Sequence, residues 1–409
     1  MDRRERERFR SIASQYATPT YVFDVGKLSQ RVNLIREKLA IGTEICFAMK
    51  ANPFLTGTLA KQVDRLEVCS PGEYEICIRE QINPEKIVVS GVNKTLESME
   101  RILSYSQGVG IYTIESPLHY EILKQCAGRL EKKLRVLLRL SSGNQFGMDE
   151  TALGQVLAEI QKDNCMEVIG IHYYAGTQKN AKKIENELQY LNEYGARLRQ
   201  EFGLECLELE YGPGLMVSYF ENAGVKEQEA ADAVSQLDRL KELLEKMTAY
   251  DHISIELGRF LTAECGYYMT KVMDRKQTDG AGFAIVDGGI HQINYYGQMM
   301  GMKKPYMQIL QGRETEEGNG VSHATEKWTI CGSLCTINDV LVRQVEIAPF
   351  NIGDIFVFER CGAYSVTEGM AMFLSRELPQ VLLVDNDGTI EVMRKKTQIN
   401  TWNGRMEEK

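Results

Sequence analysis

The stretch ICFAMKANPF, residues 45–54, is an apolar run that ends by presenting a single lysine, Lys50, just before Ala51, Asn52 and Pro53. A lysine at the end of a buried strand loses hydration, which lowers its pKa and leaves a neutral amine that can form a Schiff base. Such a lysine is a candidate nucleophile for a carbonyl group. A strand that runs out into solvent also often ends on a lysine, so the rest of the chain has to decide the role of Lys50.

Outward from this stretch, apolar runs rich in β-branched residues recur at regular intervals. Between them lie segments with helical periodicity, such as residues 148–161 and 230–248, with Pro or Gly at the joints. Eight strands separated by helix-length spacers are the repeat of a (β/α)8 TIM-type barrel, so we predict an α/β fold. The eight runs are 44–50, 66–70, 87–91, 110–114, 134–140, 168–174, 206–212 and 253–258.

After about Cys265 the pattern changes to consecutive strand-like runs without helical spacers, which indicates a second, all-β domain. Asp387 and Gly388 form a typical hairpin turn sequence between the last two of these strands. The predicted strands are 266–276, 282–289, 327–335, 339–347, 354–362 and the pair within 381–395.

These patterns predict three parts of the chain. Residues 31–265 are expected to form the barrel and residues 266–409 the C-terminal β domain. Residues 1–30, which include a short strand at 20–24, are expected to join the β domain. Polar residues dominate 312–326, which makes this segment a candidate linker.

The composition excludes several classes of function. The chain has 409 residues and a net charge of −9 without a basic block, which argues against a nucleic-acid surface. No stretch reads as a membrane span or a targeting segment, so we expect a cytoplasmic protein. The ten cysteines form no CxxC pair and the five histidines are scattered, which favours reduced thiols and no metal site.

The ends of the barrel strands carry a set of groups with a shared chemistry. The seventh strand runs into Gly212, Pro213 and Gly214, where backbone N–H groups can approach a phosphate, and the eighth ends in Glu256 and Arg259. A lysine for an aldehyde, amides for a phosphate and a carboxylate for a ring nitrogen together describe a pyridoxal phosphate pocket. Separately, the glycines can also form a simple tight turn and Glu256 can simply pair with Arg259.

Seven motifs, spread in order over nearly the whole chain, resemble the diaminopimelate and ornithine decarboxylase superfamily. These are the fold-type III pyridoxal phosphate enzymes, with an alanine-racemase-like barrel. The motifs are FAMKAN, SPGEYE, HYYAGTQ, the YGPG loop, ELGR, GSLCTIND and CGAY.

The resemblance implies a role for each matching residue. Lys50 would be the lysine that forms the Schiff base with the cofactor, and Glu256 the glutamate that keeps the pyridine nitrogen protonated. Cys335 would cross a dimer interface and reprotonate the carbanion, so a homodimer with shared active sites is expected. Without the motif, Cys335 would read as another strand cysteine and Tyr364 as core. The residues implied on the phosphate side are Gly212, Gly214, Arg259 and Tyr364.

The chain also departs from the family pattern. Tyr174 stands where a histidine usually stacks on the cofactor, and a phenol still offers a flat face. His172, two residues earlier on the same strand, is expected near the pocket, although a structural role fits it equally. Arg139 leads into a segment shorter than that of the diaminopimelate enzymes and is a candidate substrate contact.

The most informative departure is Thr336, because the basic-amino-acid decarboxylases place an acidic residue directly after the cysteine. Together with the Tyr174 motif it resembles a divergent branch that includes natural-product enzymes, one of which decarboxylates a glutamyl group on a carrier protein. We therefore predict decarboxylation of an amino acid or aminoacyl group with a non-basic or carrier-linked side chain. The alternatives are a diaminopimelate decarboxylase of lysine biosynthesis, a racemase, which Glu256 disfavours, and a non-catalytic regulator, which Lys50 and Cys335 disfavour.

Overall fold

The computed structural model describes residues 2–131, 133–163, 165–221, 231–295, 300–312 and 325–405. The chain divides into two compact units. The first, called the β unit, comprises Met1–Leu28, Ser218–Gln228 and Thr262–Lys409, and the second, called the barrel unit, comprises Ser29–Val217 and Glu229–Leu261.

Seventeen strands lie within the described residues. They are β1 Thr20–Asp24, β2 Glu44–Ala48, β3 Arg65–Val68, β4 Ile87–Val89, β5 Ile111–Ile114, β6 Leu134–Arg139, β7 Met166–Tyr174, β8 Glu208–Gly212, β9 His252–Leu257, β10 Gly266–Thr278, β11 Ala281–Val286, β12 Met307–Leu310, β13 Glu326–Cys331, β14 Val340–Ile347, β15 Ile355–Glu359, β16 Gln380–Val384 and β17 Ile390–Arg394.

The same part of the chain contains ten α-helices. They are α1 Arg3–Gln15, α2 Val25–Lys38, α3 Thr56–Leu59, α4 Pro71–Arg79, α5 Leu96–Ser106, α6 Pro117–Leu130, α7 Glu150–Asp163, α8 Ala181–Phe202, α9 Ala233–Leu244 and α10 Arg259–Thr262.

The barrel unit contains a closed barrel of eight parallel strands, β2 to β9, which confirms the predicted fold class. The barrel closes where β2 pairs with β9, with Cys46 in register with Glu256. Each of the eight apolar runs in the sequence became one of these strands, because a strand covered on both faces needs a continuous apolar run.

Polar residues at the strand-to-helix joints fix where several helices of the barrel unit begin. Ser70, Thr95, Ser116 and Asn180 are the N-caps of α4, α5, α6 and α8, and each side chain accepts a backbone N–H three residues later. Such caps satisfy N–H groups that have no partner inside the helix. They set the lengths of the loops at the rim of the barrel.

The β unit is built on one nine-stranded sheet. Its main path runs β14-β13-β11-β10-β1-β16-β17, while β15 pairs with β10 and β12 pairs with β15. The predicted hairpin of β16 and β17 is present, and Gly388 adopts the positive φ of 88° that its turn requires.

From Gly266 onward the described residues of the β unit form strands and short 3-10 turns, and the N-terminal part of the unit adds the helix α1. Phe9 and Ile12 of α1 pack in one apolar cluster with Val22 of β1 and Val357 of β15. The strand β12 was also not predicted. Of the candidate linker, residues 313–324 lie outside the described part of the chain.

All ten cysteines fall within the described ranges and are free thiols. Over the same ranges, none of the helices combines the length and the apolar character that a membrane crossing requires.

Candidate active site

Lys50 lies at the rim of the barrel, in the single 3-10 turn Met49–Ala51 that directly follows β2. Its Nζ is 2.7 Å from Glu67 Oε2 and 3.4 Å from Glu256 Oε1. Its side chain is 35% exposed, whereas both carboxylates are buried. The sequence predicted a lysine that loses hydration by burial, but the structure surrounds a partly accessible amine with two acids that neutralise it.

Glu256, near the end of β9, joins Lys50 to His172. His172 Nε2 is 3.0 Å from Glu256 Oε2, so the two oxygens of Glu256 face different partners. Burial favours the neutral acid, but the Lys50 ammonium and the hydrogen bond from His172 hold the pKa of Glu256 well below its usual range. Glu256 is therefore a fixed carboxylate, and His172 Nε2 must be the donor of that hydrogen bond.

Tyr174, at the end of β7, presents its ring to the lysine, with Lys50 Nζ 5.8 Å from the ring centroid. Gly212 of β8 is in register with Tyr174, and a Cβ at Gly212 would lie 2.4 Å from Tyr174 Cδ2. Glycine at this position therefore makes room for the phenol ring.

The loop after β8 requires a second glycine. Gly214 has a φ of 60°, and a Cβ there would lie 2.2 Å from the carbonyl oxygen of Gly176. The N–H of Lys179 donates to the Gly214 carbonyl at 2.9 Å, and Lys179 Nζ donates to the Gly212 carbonyl at 3.0 Å. Lys179 thus fixes the shape of the glycine loop, and the sequence analysis missed it.

Arg139 and Arg259 were both predicted from the sequence as site residues, and both side chains are buried. Arg139 Nη1 donates to Glu115 Oε2 at 3.0 Å, and its guanidinium lies 4.8 Å from the Phe146 ring centroid. Arg259 begins α10 directly after β9 and is 8% exposed. The guanidinium of Arg139 is thus engaged by Glu115, and its contact with substrate stays a prediction.

Glu67 and Cys69 were not singled out from the sequence. Both lie near the carboxyl end of a barrel strand, β3, and this is the kind of position that identified Glu256 on β9. Glu67 is in β3, and Lys50 Nζ lies 3.8 Å from Cys69 Sγ. Ligand atoms of Glu67, His172 and Glu256 lie within 4.8 Å of one another, which is an arrangement that can hold a metal ion. The Lys50 ammonium already lies against both carboxylates of this group and offsets one of their two negative charges.

Cys335 and Thr336 lie in the β unit, on the loop between β13 and β14. Cys335 is exposed, and both residues line a cavity of about 980 Å³. Asp339 shapes this loop, since its carboxylate accepts the backbone N–H groups of Ile290 and Leu334 at 2.8 and 2.7 Å.

Tyr364 lies in the β unit after β15, with a φ of 64°. Its carbonyl accepts backbone N–H groups from Thr367 at 2.9 Å and Glu368 at 3.0 Å, so Tyr364 occupies a tight turn. The barrel unit brings together Lys50, His172, Tyr174, Gly212, Gly214 and Glu256, and the β unit carries Cys335, Thr336 and Tyr364.

The residues present at the rim fit an aromatic aldehyde with a phosphate. An accessible amine, a flat ring 5.8 Å away and a buried carboxylate match the aldehyde, the ring face and the ring nitrogen in turn. Close packing against Tyr174 and the Gly176 carbonyl requires the two glycines of the loop, and their contact with a phosphate stays a prediction. This combination indicates a class, the barrel enzymes with a cofactor site at the carboxyl ends of the strands.

The sequence model described as "Pyridoxal-dependent decarboxylase, pyridoxal binding domain" matches residues 25–263, more than half of the chain. The chain therefore belongs to the pyridoxal-dependent decarboxylases. It is a carboxy-lyase that depends on pyridoxal phosphate.

Two curated relatives show how the substrates differ within this family. The L-glutamyl-(BtrI acyl-carrier protein) decarboxylase of Niallia circulans is 27% identical and covers 94% of this chain and 93% of its own. The diaminopimelate decarboxylase of Aquifex aeolicus is 26% identical and covers 95% of this chain and 91% of its own.

Solved structures agree with the fold. The diaminopimelate decarboxylase from Helicobacter pylori, complexed with L-lysine, superimposes with a TM-score of 0.78 at 22% identity. The match covers 97% of this chain and 98% of that one.

Proposed function

We propose that this enzyme removes the α-carboxyl group from an amino acid or aminoacyl group whose side chain is not basic, including one linked to a carrier protein. One observation carries the choice of substrate, namely that Thr336 follows Cys335 where the basic-amino-acid decarboxylases place an acid. Apart from the Cys335 thiol, the loop 333–338 contains no ionisable side chain.

The nearest acid along the chain does not replace the missing one. Asp339 is 2% exposed, and its two oxygens are occupied by the N–H groups of Ile290 and Leu334. A substrate ammonium placed beside Thr336 would therefore lose its hydration without gaining an anionic partner. A neutral or acidic side chain carries no such penalty.

The other residues take the following parts. Bound pyridoxal phosphate supplies the electron sink for the pair left by the departing carbon dioxide. Lys50 holds the cofactor through its amine, Tyr174 covers one face of the ring, and Glu256 keeps a proton at the ring nitrogen. The exposed Sγ of Cys335 returns a proton to the α-carbon after carbon dioxide has left.

A homodimer with shared sites belongs to this proposal. The loop that carries Cys335 is exposed, and Ile337 next to it is 91% exposed. The same loop lines the cavity together with apolar side chains such as Phe283 and Val340. A second copy of the chain would cover these side chains and bring Cys335 of one subunit to the barrel of the other.

Diaminopimelate decarboxylation is the second candidate. The Aquifex aeolicus relative of that name covers as much of the chain as the glutamyl carrier-protein enzyme does, at 26% against 27% identity. The free amino-acid centre of diaminopimelate is zwitterionic, so the missing acid weighs less against it than against lysine or ornithine.

Carbon dioxide release by the enzyme loaded with pyridoxal phosphate tests the proposal. The panel holds diaminopimelate, lysine, ornithine, arginine, glutamate, neutral amino acids and carrier-bound aminoacyl groups. We expect release only from the non-basic or carrier-bound substrates. Efficient release from lysine, ornithine or arginine would overturn the argument from Thr336, and release from diaminopimelate alone would establish the second candidate.

A pair of substitutions isolates the role of the charge. Thr336→Glu should improve kcat/KM for a basic amino acid by about 10-fold or more, since a charged hydrogen bond contributes on the order of 1.5–3 kcal/mol. The matched control Thr336→Gln has nearly the same shape without the charge and should give no such gain. Equal effects of the two substitutions would show that size and not charge excludes basic substrates.

A further inference from the structure

A second polar layer lies inside the barrel, in register with His172. Glu210 of β8 pairs in register with His172 of β7 on one side and with Ser254 of β9 on the other. Residues in register on adjacent parallel strands point to the same face and stand about 5 Å apart. All three residues are fully buried, at 0% exposure.

The three side chains hold complementary polar atoms. Within the described ranges, His172 Nδ1, both carboxyl oxygens of Glu210 and the Ser254 hydroxyl have no hydrogen-bond partner. Because His172 Nε2 donates to Glu256, Nδ1 is the nitrogen that, on an imidazole with a single N–H, accepts and needs a donor. Buried polar atoms of this kind are normally paired.

The charges around Glu210 favour its neutral form. Arg65 is the nearest cation, but its guanidinium already pairs with Glu208 and, at 2.7 Å, with Glu44 Oε2. Its distance to Glu210 Oε2 is 3.6 Å. One guanidinium therefore faces three carboxyl groups.

Burial raises the pKa of Glu210 well above its ordinary value, and the carboxylates of Glu256, Glu67 and Glu208 act in the same direction against Arg65. The Cys46 thiol on β2 also faces this group and is fully buried. A protonated Glu210 is a hydrogen-bond donor, and it lies in register with a residue that lacks one.

We propose that Glu210 stays protonated in the folded enzyme and is a positioning residue, whose carboxyl O–H reaches His172 Nδ1 through one buried water. His172 then keeps its proton on Nε2 and its ring edge on Glu256. In this way Glu210 fixes the carboxylate that, under the proposed function, meets the ring nitrogen of the cofactor. The Ser254 hydroxyl, which also has no direct partner, is in register to share that water.

The protonation of Glu210 can be measured on the wild-type enzyme without substrate. The infrared difference spectrum between wild type and Glu210→Gln, at neutral pH, should contain the carbonyl band of one protonated carboxylic acid. A carboxylate band in its place would overturn the proposal, and this result does not depend on any variant with a disrupted core.

The effect on His172 is measured by nitrogen-15 NMR of enzyme labelled at its histidines, with His172→Gln used for assignment. We expect a single tautomer with the proton on Nε2 and a hydrogen-bonded Nδ1. Glu210→Gln keeps an N–H donor and should retain the hydrogen-bonded Nδ1, whereas Glu210→Leu should lose the hydrogen bond at Nδ1 while Glu256 still holds the proton on Nε2. An unchanged His172 spectrum in Glu210→Leu would show that Glu210 is only part of the core.

These two readouts separate this inference from the proposed function. Both are recorded without turnover, so an enzyme that releases no carbon dioxide from the substrate panel can still show a neutral Glu210 bound to His172. The reverse result, turnover with an ionised Glu210, would remove the inference and leave the decarboxylase assignment intact.

Discussion

Gly212 shows how one missing side chain shapes the active site. A Cβ at this position would lie 2.4 Å from the ring of Tyr174, far inside normal contact distance. Gly212→Ala should therefore push Tyr174 away from Lys50 and lower the free energy of unfolding by about 1–3 kcal/mol. The measurements are chemical denaturation and the dissociation constant of pyridoxal phosphate, which should rise.

Gly128 provides the matched control. It lies in α6, and an added Cβ there would meet nothing within 4 Å. Gly128→Ala should stabilise the helix by up to about 1 kcal/mol and leave cofactor binding unchanged. If both alanine variants bind the cofactor equally well, Tyr174 does not depend on the space at Gly212.

Lys94 should make the free energy of unfolding depend on pH. Burial lowers the pKa of Lys94 from 10.5 to about 8, although nearby Glu115 opposes the shift. The unfolded chain keeps this proton up to pH 10.5, whereas the folded chain releases it near pH 8. Between these values the unfolded state binds more protons, so stability rises with pH there and is lost again as the pH falls.

Replacement of Lys94 tests this dependence on pH. The unfolding free energy of wild type relative to Lys94→Met should rise by about 3 kcal/mol between pH 8 and pH 10.5. Subtracting the unfolding free energy of Lys94→Met from that of wild type cancels the titration of the tyrosines and cysteines, which the two proteins share. Parallel pH profiles for the two proteins would mean that the Lys94 ammonium is well solvated or fully paired.

At the level of elements, α1 contributes few apolar side chains to the core of its unit. Phe9 and Ile12 are its buried residues, and Phe9 is 0% exposed. Phe9→Ala should cost about 3–5 kcal/mol, as expected for a large aromatic side chain removed from a core. Arg4→Ala, on the exposed side of the same helix, should change stability by less than about 0.5 kcal/mol. The comparison is made by urea denaturation, and equal losses would show that α1 is held by its charges.

The prediction from sequence succeeded where periodicity was strong. The eight barrel strands are continuous apolar runs and were all found, because parallel strands buried on both faces leave that pattern. The helix α1 was missed because RRERERFRSIASQ contains only two core residues among many charges. The strand β12 has four residues, too few for its alternation to stand out.

The site was predictable in part for a similar reason. Lys50 and Glu256 were identified because each lies at the end of a barrel strand. Glu67 occupies a similar position on β3 but was not identified. Contacts between distant segments gave no local signal, so Lys179 behind the glycine loop and Glu210 in register with His172 required the three-dimensional structure. The roles of Cys335 and Tyr364 rest on the family resemblance and stay predictions.

At the level of the whole molecule, an active site shared between two subunits predicts how much activity a mixture of two inactive variants recovers. If Lys50 and Cys335 of one site come from different subunits, Lys50→Ala and Cys335→Ala should each be inactive as pure proteins. Mixing equal amounts under conditions that exchange subunits should restore about a quarter of the wild-type activity. About half of the dimers are then mixed, and each mixed dimer has one intact site and one doubly altered site.

Size-exclusion chromatography of the same mixtures provides the control. Both variants should elute as dimers before and after mixing. Dimers that exchange subunits without any recovery of carbon dioxide release would show that each site is made within a single subunit.

The pairing of β1 also sets an order of events during synthesis. Thr20 of this strand is in register with Met269 of β10 on one side and with Gln380 of β16 on the other. All eight barrel strands emerge from the ribosome before either partner of β1 does. A released chain that ends at residue 261 therefore has every strand of the barrel, while its β1 carries two unpaired edges and an apolar surface for a chaperone or a neighbouring chain to bind.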